Sequence, residues 1–493
     1  LSGAEPILSN ASSATGDLRA DRSVRGVWEH PGMPRVRPDE GHRVVYRTAR
    51  VLLRVTPAQA RRCYGLLRAG GDAWAALIDM NRYRFSRGGR PLLGYQELCR
   101  EVAGVRVGEL SAPALRSVVC RYADATMETA RRKRRGQAAR YPRRKRALMP
   151  LRWYAGTFVL DGLHCKLSTA RGTTELWVRL SRPVPYPAAA VRSVTLVAEG
   201  GRLALDVTAE VACAKPTGGR RAGCDLGIIH PFALAAGGAC LLVSGRATRA
   251  EERLHLADTK ARVRAMARKV PAGKGQRGSR RWRQLRAAQR RAEAHHLRRV
   301  RQMHHQAARQ AVAWAKAQQV GTIITGDLRG IARRDAGRRH NWRVANTWRR
   351  THLLAALCDK AEVAGIQILL VDERGTSSTC PQCGNKTAKP RGRNFACPHC
   401  GYTGHRDLAG ARNIAARGGG ITTALAVVTH RRAGTVSARR DRRRHLMDQR
   451  RSCPAPGRPP RRGVARQNPP RASEPGSALK GHWRGSANVA NVA

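Results

Sequence analysis

Cys380-Pro381-Gln382-Cys383-Gly384, then Cys397-Pro398-His399-Cys400-Gly401, then His405-Arg406-Asp407-Leu408 running into Ala411-Arg412-Asn413-Ile414-Ala415: this run carries two signals at once. Its two Cys-x-x-Cys hooks lie thirteen residues apart. Each tight turn aims two sulfurs at one point and the hairpin between them returns the chain, so four thiolates suit tetrahedral zinc. A redox Cys-x-x-Cys is the competing reading. Two pairs at ribbon spacing, each followed by Gly, fit a structural site better. Such a ribbon does no chemistry itself. Asp407 is different, because it begins a helix, Leu408 to Ala415, whose small residues allow close packing on a sheet. A carboxylate there is either an N-terminal cap or a functional ligand.

Working upstream, a new unit starts near Ala222. Gly223-Cys224-Asp225-Leu226-Gly227-Ile228-Ile229, Phe232 to Ala235 and Ala239 to Val243 read as three short strands with Gly and Pro turns, an antiparallel meander. Gly321 to Asp327 reads as a strand, Thr347 to Ala364 as a helix and Ile366 to Val371 as another strand; this alternation implies parallel strands added to the meander. Between them, residues 250–319 are helical, Arg-rich and interrupted at Pro271-Ala272-Gly273-Lys274-Gly275, which makes a helical hairpin or lid. Leu285, Ala288, Ala292, Leu297, Val300, Met303, Ala307 and Ala311 form its packing stripe. The pairs His295-His296 and His304-His305 on that helix have no matched carboxylates, so they read as packing or phosphate-touching groups rather than metal ligands. Trp282, Trp314, Trp342 and Trp348 are either base-stacking or core anchors.

Asp225 sits among apolar strand residues, where a lone buried charge is costly unless it binds a metal or a partner. With Asp407 it forms a strand-borne acid early and a helix-borne acid late on one α/β scaffold. A metal-dependent phosphodiesterase needs such a set, because two divalent ions roughly 4 Å apart require clustered acidic ligands. Magnesium suits oxygen ligands of this kind.

The N-terminal half reads differently. Residues 1–42 lack apolar periodicity and read as a flexible leader. Val44 to Val55 is a strand, Thr56-Pro57-Ala58-Gln59 carries the signature of a capped helix start, and helices follow to about Ala130. Arg131 to Arg146 is a basic arm, either a solvated loop or a phosphate contact. Phe158 to Leu160, Glu175 to Leu180, Ser193 to Val197 and Leu203 to Val211 read as strands, the last two joined by a Gly200-Gly201 hairpin, and imply a small β-barrel or sheet. Beyond Gly418 the chain turns to Arg, Pro, Gly and Ser, which predicts a disordered basic tail over 419–493.

Composition narrows the partner. The formal charge is +61, from 94 Lys and Arg against 33 Asp and Glu, and nucleic acid is the polyanion that such a chain expects. An acidic membrane surface fits less well, since the basic residues spread over the whole length without an amphipathic anchor. No apolar run approaches membrane-spanning length, and Leu1 to Asn10 lack the regions of a signal peptide. Nine of the thirteen Cys are scattered, which reads as a reduced, cytoplasmic chain.

Gly223-Cys224-Asp225-Leu226-Gly227, the run Thr376 to Gly384 leading into the ribbon, and Asp407-x3-Ala411-x-Asn413-Ile414 resemble the split RuvC nuclease of transposon-encoded TnpB proteins and of compact type V CRISPR effectors. The resemblance covers about residues 222–418. It implies an RNase H-like RuvC domain at 222–418, with an inserted lid at 250–319 and a zinc ribbon at 376–404. Before it would come a first wedge strand at 43–55, a helical recognition region with its basic arm at 56–150 and a β-barrel wedge region at 151–215. It further implies an RNA-guided DNA endonuclease, with guide RNA and target DNA as partners, magnesium or manganese at Asp225, Asp407 and a third acid, and structural zinc at Cys380, Cys383, Cys397 and Cys400.

The chain departs from that pattern at one place. The family's second strand usually ends in Glu-Asp-Leu, whereas this chain has Gly326-Asp327-Leu328. Asp327 is adjacent, but successive strand residues face opposite sides and it would need a twist or bulge. Glu373, ending Ile368-Leu369-Leu370-Val371-Asp372-Glu373 on the neighbouring strand, is the better replacement, since it can enter the space left by Gly326; sites in such sheets gather at the carboxyl ends. Its competing role is a surface salt bridge. A silent, RNA-guided DNA-binding protein and a plain zinc-ribbon DNA-binding regulator are the alternative functions.

Overall fold

The computed structural model describes residues 43–434 except 144, 217, 270–272, 274, 275, 277, 328–347, 389–391, 422 and 424–426. The expected leader at 1–42, the tail from 435 onward, Leu328 and Trp342 lie outside the described residues.

Two sheets organise the chain. The first contains β1 (Val44–Arg54), β2 (Leu151–Tyr154), β3 (Phe158–Asp161), β4 (His164–Leu167), β5 (Leu176–Leu180), β6 (Val191–Glu199) and β7 (Arg202–Ala212) in the order β2-β6-β7-β1-β5-β4-β3. Every neighbouring pair is antiparallel. The early strand β1 lies at its middle, pairing with β7 along Val44–Leu52 and with β5 at Leu53 and Arg54. Trp153 on the edge strand β2 is buried and its Nε1 donates to Ser168 O at 2.9 Å, just past β4, so the two halves of the sheet curl toward each other.

Three helices fill that curl: α1 (Pro57–Ser86), α2 (Tyr95–Glu101) and α3 (Ala112–Arg134). Thr56 caps α1 as its sequence predicts, with Oγ1 accepting from Gln59 N and Gln59 Oε1 accepting from Thr56 N. Leu66, Leu67, Trp74 and Val118 share one core with Leu151, Val178 and Leu205, so helices and sheet bury each other's apolar faces. The helix limit near Ala130 is corrected: α3 runs to Arg134. The residues Arg131, Arg132, Lys133 and Arg134 form its last turn, where cations complement the carbonyl end of the helix dipole.

The second sheet is built on β8 (Arg220–Asp225), β9 (Phe232–Ala236) and β10 (Ala239–Ser244), the expected antiparallel meander. Strands β11 (Val320–Gly326) and β12 (Gln367–Val371) extend it in parallel beside β8, as the α/β alternation implies. A small antiparallel pair, β13 (Asn394–Ala396) and β14 (Thr403–His405), follows. A sixth strand, β15 (Val427–Arg432), then runs parallel to β10, giving the order β12-β11-β8-β9-β10-β15. This corrects the tail boundary at 419. β15 is exposed, carries Arg431 and Arg432 and shows no alternating pattern, as charged edge strands do; its pairing with β10, not its own composition, makes it a strand.

Helices cover both faces of this sheet. The lid is a hairpin of α4 (Arg246–Ala267) and α5 (Arg280–Ala317), and α5 with α6 (Arg350–Val363) packs on one face through Ala307, Ala311, Val312 and Leu357 against Phe232 and Leu234. The second face takes α7 (Arg406–Arg417), whose Leu408 and Ala411 meet Ala233, Ala235 and Leu242.

Candidate active site

Asp225 is the last residue of β8, and two glycines decide what lies above it. A Cβ at Gly223 would overlap the Ala411 carbonyl oxygen and stand 2.5 Å from Ala415 N, so α7 rests directly on the β8 backbone. Gly410 on α7 faces Asp225; a Cβ there would come 3.0 Å from Asp225 Oδ2. Asp407 lies about one helical turn earlier. The small residues of this helix thus bring a late carboxylate over an early one. Burial, then the charges of Asp407 and Glu373, push the Asp225 carboxyl up to about 7, against the pull of Arg406 and Arg393.

Glu373 follows the end of β12, whose Val371 is in register with Gly326. A Cβ at Gly326 would overlap Glu373 Oε2 and stand 2.7 Å from its Cβ and 2.8 Å from its Cδ. The Glu373 side chain therefore occupies the volume that any side chain at 326 would need. Burial, then the neighbouring Asp327 and Asp372, raise its carboxyl to about 7. Among the described residues Glu373 makes no ion pair of the kind its competing role needs. Its loop is fixed by Thr376, whose N–H and Oγ1 donate to Glu373 O, and by Arg417 of α7, which donates to Asp372 O and, at 2.6 Å, to Arg374 O.

Asp327 stands just past the end of β11. Its N–H donates to Val371 O at 2.8 Å and its charge bears on Glu373.

Asp407 is buried, and the cap of its helix is His405, whose Nδ1 accepts from Asp407 N at 3.2 Å. The Asp407 carboxylate is thereby released from capping. His230 Nδ1 lies 2.8 Å from its Oδ2, and Arg393 Nη1 donates to Oδ1 at 2.9 Å and Oδ2 at 3.0 Å. Burial raises the carboxyl, but the His230 contact and the Arg393 charge outweigh it and hold Asp407 below the usual carboxylate range. Sequence reasoning did not find these two residues. His230 lies in an unmarked turn between β8 and β9, and Arg393 is one arginine among many; only the fold sets them apart.

The charges of Asp407 and Glu373 both bear on Asp225, but the three carboxylates do not form a group whose ligand atoms all lie within 4.8 Å of one another. Among the described residues, two groups of three or more His, Cys, Asp or Glu have ligand atoms all within 4.8 Å of one another: His230 with His405 and Asp407, and the four cysteines. Cys380 Sγ lies 3.6 Å from Cys400 Sγ, and Cys383 Sγ 3.6 Å from Cys397 Sγ. A tetrahedral ion with metal–sulfur bonds of about 2.3 Å sets its sulfurs about 3.8 Å apart, close to these distances. Both short pairs join different hooks, whereas a redox motif would pair the sulfurs of one hook. Gly384 and Gly401 turn each hook at φ +73° and +71°, donating to Cys380 O and Cys397 O. Asn413 of α7 donates to Thr376 O at 2.7 Å and Thr379 O at 2.8 Å, tying ribbon and helix into one piece.

The site thus belongs to a mixed sheet with acids at the ends of its strands, crossed by a helix that follows a four-cysteine ribbon, the arrangement that the sequence motifs imply. Comparison with known proteins agrees with it. The family model of the Cas12f1-like TNB domain matches residues 351–414. Over 113 residues the chain is 37% identical to the CRISPR-associated endodeoxyribonuclease Cas12f1 of Sulfoacidibacillus thermotolerans, a stretch of 22% of this chain and 25% of that protein. The match thus spans about a quarter of that relative's length. The protein chain in the cryo-EM structure of a Cas12f1-sgRNA-target DNA complex aligns with a TM-score of 0.52 at 13% identity, covering 73% of this chain and 83% of that one, and shares its fold. The resemblance to compact type V effectors that the motifs carry is borne out.

Proposed function

We propose that this chain is an RNA-guided DNA endonuclease that hydrolyses phosphodiester bonds in a RuvC-like, RNase H-like site, with guide RNA and target DNA as its partners. The observation that carries the proposal is the Glu373 side chain filling the room at Gly326, close enough to Asp225 for its charge to raise the Asp225 carboxyl. It supplies an acid where the resemblance leaves a gap, and so favours an active nuclease over a silent one.

Asp225, Glu373 and Asp407 are the residues that would hold magnesium or manganese, which when bound activates water and stabilises the leaving oxygen. The rest is the chain's own work. Arg393 keeps Asp407 ionised and in place, and His230 fixes the orientation of its carboxylate. Arg417 and Thr376 hold the Glu373 loop against β11. Cys380, Cys383, Cys397 and Cys400 would hold zinc as a structural ion, which positions Arg393 and the start of α7 rather than reacting. The large positive charge binds the nucleic acids, and sequence choice falls to base pairing with the guide. No described helix is long and apolar enough to cross a membrane; the cytoplasm of a prokaryotic cell is the compartment in which the chain would meet both partners.

The test uses the full chain purified with its co-expressed RNA. Sequencing that RNA identifies a guide, and a matching DNA target is then offered with magnesium. The proposal expects RNA-dependent cutting by the wild type and RNA-dependent binding without cutting by Glu373→Gln. Binding without cutting by the wild type favours the silent reading, and tight DNA binding after RNase treatment favours the zinc-ribbon regulator.

A further inference from the structure

The end of α1 leaves the protein core. Its last buried residue is Asn81, and the turn after it presents Tyr83 at 60% and Phe85 at 73% exposure. These rings lie within Arg82-Tyr83-Arg84-Phe85-Ser86-Arg87-Gly88-Gly89-Arg90, a run of four arginines and two aromatics with no acid. An exposed Phe is costly in water, and the four arginines around these rings suit an anionic partner.

We propose that this tip is a docking surface for a single-stranded segment of RNA, with Phe85 and Tyr83 each stacking on an unpaired base and Arg82, Arg87 and Arg90 on the flanking phosphates. The inference rests on the functional reading above, in which the chain carries RNA.

Geometry and charge select this occupant. Two residues apart on a helix is about 200° of rotation, so the rings face opposite sides of the tip and cannot cover one flat protein patch. They can each meet a separate base. The Arg87 guanidinium lies 5.1 Å over the Tyr83 ring rather than on a carboxylate, forming the mixed cation and ring surface on which unpaired RNA bases stack. Arg84 and Arg90 reach Glu101 at 3.8 Å and Glu97 at 3.1 Å on α2, which steadies the tip, and the Arg90 side chain is still 83% exposed. A second copy is disfavoured, since a twofold contact would set four arginines against four arginines. Paired DNA hides the base faces that the rings need.

The experiment uses the full chain as purified with its RNA. Ultraviolet crosslinking followed by mass spectrometry is expected to find RNA adducts on Tyr83 or Phe85. Affinity for the co-purifying RNA is expected to fall about 5- to 100-fold in Phe85→Ala and in Tyr83→Ala, to be kept in Phe85→Trp, and to leave the melting temperature unchanged because both rings are exposed. RNA held equally by all variants, adducts with target DNA alone, or self-association of the wild type that Phe85→Ala abolishes would each overturn this assignment while leaving the nuclease reading standing. A wild-type chain that binds no RNA defeats both.

Discussion

Gly326 and Glu373 act as one unit: the first has no side chain because the second fills its place. Gly326→Ala is therefore expected to push the Glu373 carboxylate out of the site and to lower cleavage about 10²-fold or more, the scale on which losing one preorganised group acts. The steady-state rate on a matched target checks this. The carboxyls of Asp225 and Glu373 also fix a pH dependence. Both titrate near 7 in the fold, above ordinary values of 3.8 and 4.5, so the folded chain keeps protons that the unfolded chain releases. Their contribution to stability is fully present below the unfolded values and is lost as pH rises through about 7. The melting temperature of chelator-treated protein should fall between about pH 5 and pH 8, less steeply in Asp225→Asn or Glu373→Gln. Added magnesium should offset the fall most at the alkaline end.

At the scale of elements, the contact of α7 with β8 is the tightest constraint. Gly223→Ala places a methyl group on the Ala411 carbonyl and must lift the helix, which is expected to cost about 1–3 kcal/mol in chemical denaturation and to part Asp407 from Asp225. Elemental analysis is expected to find one zinc ion per wild-type chain and less in Cys397→Ser, with Arg393 loosened as well. Much of this region was legible beforehand. The Gly-punctuated meander β8 to β10, the parallel pair β11 and β12, the lid hairpin and the Thr56 cap each carry a local signal, whether apolar runs, turn glycines or a capping box. What was missed lacks one. β2 and β4 are four residues each, and β15 is a charged edge strand that pairing alone defines. The same holds in the site: Asp225, Glu373 and Asp407 stand out as acids in a basic chain, while His230 and Arg393 become special only when the fold brings them to Asp407.

Across the whole molecule, the charge of +61 dictates how binding responds to salt. If the chain meets 6–10 phosphates, affinity should drop about 10³- to 10⁵-fold between roughly 50 and 200 mM salt, and a filter-binding series measures the slope. A shallow slope would mean that the charge is not spent on nucleic acid. The most direct measurement of the central claim moves the acid itself: cleavage of a guide-matched DNA by Glu373→Ala and by the double variant Gly326→Glu with Glu373→Ala, at equal RNA loading. The expected result is no cutting by the single variant and restored cutting when the carboxylate returns from strand β11. Cutting by Glu373→Ala at the wild-type rate would contradict the account.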